Sequence, residues 1–395
     1  MAAPLDFALT SMTLQKHPGT DLDLPPAAQP GQALADVDTP SLILDLGVFE
    51  RNMDRMQALA DRAGIRLRPH AKAHKCPDIA LAQIARGAVG ICCQKVSEAL
   101  PFVRAGVADI HVSNELAGAA KARMLAALAR HARISVCVDD ARQVPALAQA
   151  CLQAESTVTV FVEIDVGQGR CGVTGADAAL RLAEEIARHP GLRFGGLQAY
   201  HGGAQHRRTR AERREAAAQA ADRAGAVVAR LQAAGVACEV VTGGGTGSVE
   251  FDLASGVYTE IQPGSYVFMD GDYGRNEWDA ASGFGHSLFI ASTVMSVAPA
   301  TRVVLDAGLK SMAVDSGLPL VWQPEGGAEL RYLAANDEHG IVECSDAAAL
   351  PGLGEQLLLV PGHCDPTLNL YDELVGIRDG RVECVWPVAA RGLSR

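Results

Sequence analysis

Eight apolar strand candidates alternate with helical stretches between residues 65 and 268, and few folds accept that pattern. The candidates cover 65–71, 90–96, 109–114, 133–139, 157–166, 194–200, 239–244 and 259–268. Helical periodicity between them is clearest over Ala178–Arg188 and Arg210–Ala234. Eight β/α units suit a closed (β/α)8 TIM-type barrel, for which about 250 residues is typical. An open doubly wound α/β sheet is the alternative. Ahead of the repeats, Ser41–Asp45 reads as a short apolar strand, and Val48–Ala63 carries Phe49, Met53, Met56 and Leu59 at helical spacing. Beyond about residue 275, Leu288–Val297, Arg302–Asp306, Glu329–Leu333, Gly340–Cys344 and Gln356–Val360 read as strands with turn residues between them. The tail is therefore expected to be a second, mainly β domain.

A barrel presents its chemistry at the carboxyl ends of its strands, so the residues there matter most. They are Lys72 after the first strand, Asn114 after the third, Arg170 beyond the fifth, Tyr200 and His201 after the sixth, and a glycine loop after the seventh. In the run Ile65 to Lys75, strand alternation would put Arg68, His70, Lys72 and His74 on one side and Lys75 on the other. An amine held there among cations and partly desolvated would have a depressed pKa, which makes Lys72 a candidate Schiff-base lysine. A basic, solvated strand end is the plainer reading.

The loop Thr242-Gly243-Gly244-Gly245-Thr246-Gly247-Ser248 has backbone N–H groups suited to an anion such as phosphate, although a flexible turn has the same composition. It is not a P-loop, because no Lys-Ser/Thr follows, and Ser248 breaks the dinucleotide fingerprint. Pro263-Gly264-Ser265-Tyr266 adds further donors in the unit where barrels commonly bind phosphate. In His363-Cys364-Asp365, an imidazole and a carboxylate two residues apart can face one cation; with oxygen and nitrogen donors alone, Mn²⁺ or Mg²⁺ suits better than Zn²⁺. A polar turn after an apolar strand explains the same three residues, with Cys364 turned into the core.

Composition narrows the partners. A formal charge of -11 argues against general nucleic-acid binding, which needs a basic surface, and points to a small-molecule ligand. Ten cysteines without dense spacing or paired C-x-x-C hooks read as reduced and buried. No apolar run approaches about 18 residues and no basic-then-apolar leader opens the chain, so no membrane insertion or export is indicated and a cytoplasmic enzyme is expected.

Taken together, Arg68-Pro69-His70-Ala71-Lys72-Ala73-His74-Lys75, the run Glu163 to Gly172, Tyr200-His201-Gly202, Pro263-Gly264-Ser265-Tyr266 and Gly362-His363-Cys364-Asp365-Pro366-Thr367 resemble the D-threonine aldolase family, from about Asp36 to Gly392. That family belongs to the fold-type III enzymes that use pyridoxal 5'-phosphate, with D-serine dehydratase and, more distantly, alanine racemase. The resemblance implies a cofactor lysine at Lys72, an arginine facing the pyridine nitrogen at Arg170 and an aromatic neighbour at Tyr200. It also implies a phosphate cradle at Gly244, Gly245, Thr246, Ser265 and Tyr266, divalent-metal ligands at His363 and Asp365, and a histidine near the substrate hydroxyl at His206. The implied layout is an extension over 1–34 that partly joins the β domain, a cofactor-binding barrel over 35–275 and a β domain over 276–395, in a homodimer. The implied reaction is retro-aldol cleavage of D-threonine and other D-β-hydroxy amino acids to glycine and an aldehyde. The rivals are D-serine or 3-hydroxyaspartate dehydration on the same scaffold, where cysteine stands at the position of Asp365, and a cofactor-binding carrier without turnover.

Overall fold

The structure is a computed structural model that describes residues 25–279, 283–298, 301–323 and 329–395; most of the amino-terminal extension, residues 1–24, lies outside them. All eight barrel strands form: β2 Arg66–Leu67, β3 Ile91–Cys93, β4 Asp109–Glu115, β5 Arg133–Val138, β6 Val158–Glu163, β7 Leu192–Ala199, β8 Val240–Gly243 and β9 Glu260–Ile261. They are parallel, in the order β2-β9-β8-β7-β6-β5-β4-β3. The ring closes between β2 and β3 through a parallel bridge from His70 to Cys92, with Val89 N–H donating to the Leu67 carbonyl at 2.9 Å and Cys92 N–H to the Pro69 carbonyl at 2.8 Å. The expected closed barrel is therefore the observed one.

Strands β3, β5, β6 and β8 are buried almost throughout, so their sequences are near-continuous apolar runs rather than alternating ones, whereas β4 and β7 carry polar residues inward. Helices α2 Pro77–Ala85, α3 Val96–Arg104, α4 Ala119–Leu128, α5 Val144–Ala154, α6 Ala176–Ala187 and α7 Arg210–Ala233 cover the outer face, with short α8 Val249–Leu253 before β9. Arg68, just after β2, bonds Glu260 on neighbouring β9 at 2.9 Å and Asp109 at the start of β4 at 2.7 Å, a buried charge held by two carboxylates.

The second body is a nine-stranded sheet ordered β13-β14-β11-β10-β1-β16-β17, with β15 on β10 and β12 on β15. Its strands are β1 Ser41–Asp45, β10 Leu288–Ser296, β11 Arg302–Leu305, β12 Leu320–Val321, β13 Leu330–Ala335, β14 Gly340–Cys344, β15 Gln356–Val360, β16 Glu373–Arg378 and β17 Arg381–Pro387. β1 lies antiparallel to β10 and parallel to β16, so the first strand among the described residues is laid into the carboxyl-terminal sheet. Helix α1 Leu46–Ala63 then leads to the barrel: Asp45 caps it by accepting from Val48 N–H, and Gly64 ends it in the left-handed conformation at φ 65°. Phe49, Met53, Met56 and Ala60 are its buried face, each large side chain contributing roughly 2 kcal/mol. Short α10 Cys364–Leu368 follows β15 and returns the sheet to the barrel mouth.

Candidate active site

The alternation expected through Lys72 ends early. β2 stops at Leu67, and Ala71–Ala73 is a single 3-10 turn whose start is fixed by His70 Nδ1 accepting the Lys72 N–H at 3.3 Å. That assigns the proton of His70 to Nε2, which donates to Ser113 Oγ at 3.0 Å. Burial first, and then the Lys72 charge, hold this imidazole well below its ordinary pKa, so it is neutral. His74 leaves the row altogether and packs edge-on against Phe102, while Lys75, at φ 47°, turns to Asn369 at 2.9 Å and Glu98 at 3.3 Å.

Lys72 reaches into a cavity of about 250 Å³ at the mouth of the barrel. Arg170, Tyr200, Gly245 and Ser265 line the same cavity, so five of the residues singled out in the sequence converge there from five loops. The expected depression of the lysine pKa is overturned. Burial alone would lower it, but the Asp365 carboxylate lies 2.6 Å from Nζ and holds the amine well above its ordinary value. Asp365 responds in the opposite sense: burial would raise it, but Lys72, then His363, keep it well below the usual carboxylate range. Free Lys72 is thus an ammonium with a dedicated counter-ion.

At the far side, the guanidinium of Arg170 stacks over the Tyr200 ring, 5.4 Å from its centroid, and its Nη2 reaches Glu163 Oε1 at 3.4 Å. Towards β8 and β9 the wall is backbone. A Cβ on Gly245 would lie 2.6 Å from Gln205 Oε1, and one on Gly264 would lie 3.1 Å from the His70 carbonyl oxygen. At both positions a side chain would have to displace Gln205 or crowd the His70 backbone, so glycine keeps this wall in place.

The rest of the expected cradle is engaged elsewhere. Gly244, at φ 69°, makes the turn and does not line the cavity. Thr246 Oγ1 accepts the Tyr266 N–H at 3.1 Å, and the Tyr266 hydroxyl accepts from Gln83 at 3.0 Å while its ring packs on Phe284. Gly247 and Ser248 N–H both donate to Gln205 Oε1. Thr246 and Tyr266 therefore stitch the two loops together, leaving Gly245, Gly264 and Ser265 at the surface.

His363 and Asp365 line an adjoining cavity of about 630 Å³ that also contains Lys72. His363 Nδ1 sits 2.7 Å from Asp315 Oδ2, which orients the ring and leaves Nε2 available, the usual arrangement around a metal-bound imidazole. Cys364 is fully buried behind them and its thiol is pushed well up by burial, then by Asp270. A nitrogen and a carboxylate oxygen without thiolate fit an oxygen-preferring divalent cation. His206 stands one side chain away from the smaller cavity. Its Nδ1 contacts Asp272 Oδ2 at 2.5 Å, and its ring packs on Tyr273, which lines that cavity.

Gln94, Ser113, Gln198, Gln262 and Tyr273 also line the cavity, and no motif marks them in the sequence. Asn114 was the strand-end choice in β4, but a bulge between Val112 and Glu115 turns Ser113 inward instead. Position relative to the strand end was the available signal, and the bulge displaced it.

Known proteins match this chain over most of its length. The alanine racemase N-terminal domain is matched over residues 44–272, more than half of the chain, and a serine dehydratase domain over residues 287–377. A D-threonine aldolase of an Arthrobacter species is 58% identical over 94% of this chain and 97% of its own. A 3-hydroxy-D-aspartate aldolase of Paracoccus denitrificans is 44% identical, over 94% and 96% respectively. The crystal structure of D-threonine aldolase from Filomicrobium marinum superposes with a TM-score of 0.90 at 48% identity, covering 93% of this chain and 99% of that one. Barrel and sheet thus recur together in relatives matched over nearly their full length, and the chain belongs to the D-threonine aldolase family of fold-type III, pyridoxal 5'-phosphate-dependent enzymes.

Proposed function

We propose that this chain cleaves the Cα–Cβ bond of D-threonine and related D-β-hydroxy amino acids, releasing glycine and an aldehyde, with pyridoxal 5'-phosphate at Lys72 and Mn²⁺ or Mg²⁺ at His363 and Asp365. The observation that carries it is the 2.6 Å contact between Lys72 and Asp365, which joins the candidate cofactor lysine to the candidate metal ligand at one point. The cofactor, when bound, supplies an electron sink for the pair left at Cα, and the cation makes the β-hydroxyl more acidic.

The residues divide the remaining work. Ser265 and the backbone at Gly245 and Gly264 form the open wall that suits the phosphate end, while Arg170 and Tyr200 flank the ring end. Were Lys72 to hold the cofactor, its ammonium would no longer neutralise Asp365, and that carboxylate would be free to hold a cation. A base takes the hydroxyl proton; His206 is the candidate, with Nδ1 engaged by Asp272 so that Nε2 would be the accepting atom. The C–H bond of the released aldehyde is not touched: the O–H loses its proton, a C=O forms, the Cα–Cβ electrons go to Cα, and a proton added there completes glycine. Arg170 retains its own proton, so it is a poorer partner for the ring nitrogen than an acid would be, and activation at the hydroxyl has to carry more of the barrier.

Asp365 also separates this reading from dehydration. The position two residues after His363 is a carboxylate, and the neighbouring thiol is buried and protonated. Removal of divalent metal by a chelator should abolish glycine release while the near-visible absorbance of bound cofactor stays, and added Mn²⁺ should restore turnover. Full activity in metal-stripped enzyme would refute the metal part of the proposal.

A further inference from the structure

Behind Arg170, away from the cavity, two carboxyl groups face each other without enough positive charge to match them. Glu115 ends β4 and Glu163 ends β6, and one oxygen from each, with Cys171 Sγ, lie within 4.8 Å of one another. Glu163 is 3% exposed. Its Oε1 takes the 3.4 Å contact from Arg170, but its Oε2 and Glu115 Oε1 are buried without a hydrogen-bond partner. Two such carboxylates beside one guanidinium would leave a net buried charge, which a single retained proton removes. The other titratable groups facing the pair are Cys137 from β5, Arg170 and Cys171 from the loop after β6, and Tyr200 beyond Arg170 at the end of β7.

We propose that Glu163, sharing one proton with Glu115, is a positioning residue that holds the Arg170 guanidinium over Tyr200 and toward the cofactor ring. The inference rests on the cofactor placement proposed above. With one proton the pair carries a single negative charge, matched by Arg170, and the guanidinium is balanced from behind while its other edge faces the cavity. Loss of that proton doubles the negative charge on the wall side and draws Arg170 away from the ring. Burial first, then the Glu115 charge, raise Glu163 to about 8, which puts the change just above neutral pH.

The test is a pH titration of the holoenzyme, following the near-visible absorbance of the bound cofactor and its dissociation constant. The wild type should show a spectral transition near pH 8, with cofactor affinity falling by up to about tenfold above it, the equivalent of one unit of linkage. Glu163→Gln and, separately, Glu115→Gln should bind cofactor at neutral pH and lose the transition. A Glu163→Gln enzyme that keeps it, a uniform loss of affinity at every pH, or a wild-type spectrum that does not change with pH would overturn the role. Failure of the wild type to bind cofactor at any pH would instead overturn the reading beneath it.

Discussion

Two lysines three residues apart separate at the level of single side chains. Lys75 is held by Glu98 and Asn369 and lines only the larger, adjoining cavity, whereas Lys72 lines the smaller one as well, against Asp365. Lys72→Ala should therefore abolish the near-visible absorbance of the bound cofactor and all glycine release, while Lys75→Ala should keep the absorbance; the reverse pattern would mean the cofactor lysine has been misplaced. The sequence singled out Lys72 correctly as a cavity residue, but through an alternation that the backbone does not follow: the facing of His70 and Lys72 is set by a 3-10 turn, not by a strand. Its protonation was also out of reach, because Asp365 is 293 positions away and only the folded chain brings that carboxylate to 2.6 Å.

Among the elements, barrel strands such as β3, β5 and β6 were legible because burial on both faces writes them as apolar runs between helical patterns. β12, β16 and β17 were not read as strands. β12 has two residues, and β16 and β17 are joined across Asp379-Gly380 with Glu373, Arg378, Arg381 and Glu383 diluting their apolar pattern. The glycine loop after β8 was legible as a turn with open backbone, but its donors were not, since Gln205 and Asp252 compete for them from other elements. Gly245 is the position where the loop borders the cavity. A valine there would drive its Cβ to 2.6 Å from Gln205 Oε1, so Gly245→Val should weaken cofactor binding by at least about tenfold, about 1.4 kcal/mol. Equilibrium titration of the folded variant with cofactor checks this, and an unchanged affinity would remove Gly245 from the binding wall.

For the molecule as a whole, β1 lies in the carboxyl-terminal sheet before α1 enters the barrel, so barrel and sheet are linked by a strand that the bounds 35–275 count with the barrel. Stability should carry a signature of the buried imidazoles. His74 and His111 are lowered to about 4, chiefly by burial, so between pH 6.5 and 4 the unfolded chain binds protons that the folded one refuses. Their contribution is fully present above the ordinary histidine value and is lost as pH falls through that window, by up to about 3 kcal/mol per imidazole. Urea midpoints measured across it should fall with pH, and His74→Asn, which keeps an acceptor for Cys76 N–H, should flatten the fall; equal slopes in both proteins would contradict the assignment. Among the described residues no helix is long and apolar enough to cross a membrane. The central claim is the bond that breaks, and the products of D-threonine decide it. Incubated with cofactor and Mn²⁺, this protein should convert D-threonine to glycine and acetaldehyde in equal amounts and leave L-threonine untouched. Release of 2-oxobutanoate and ammonia as the main products would contradict it.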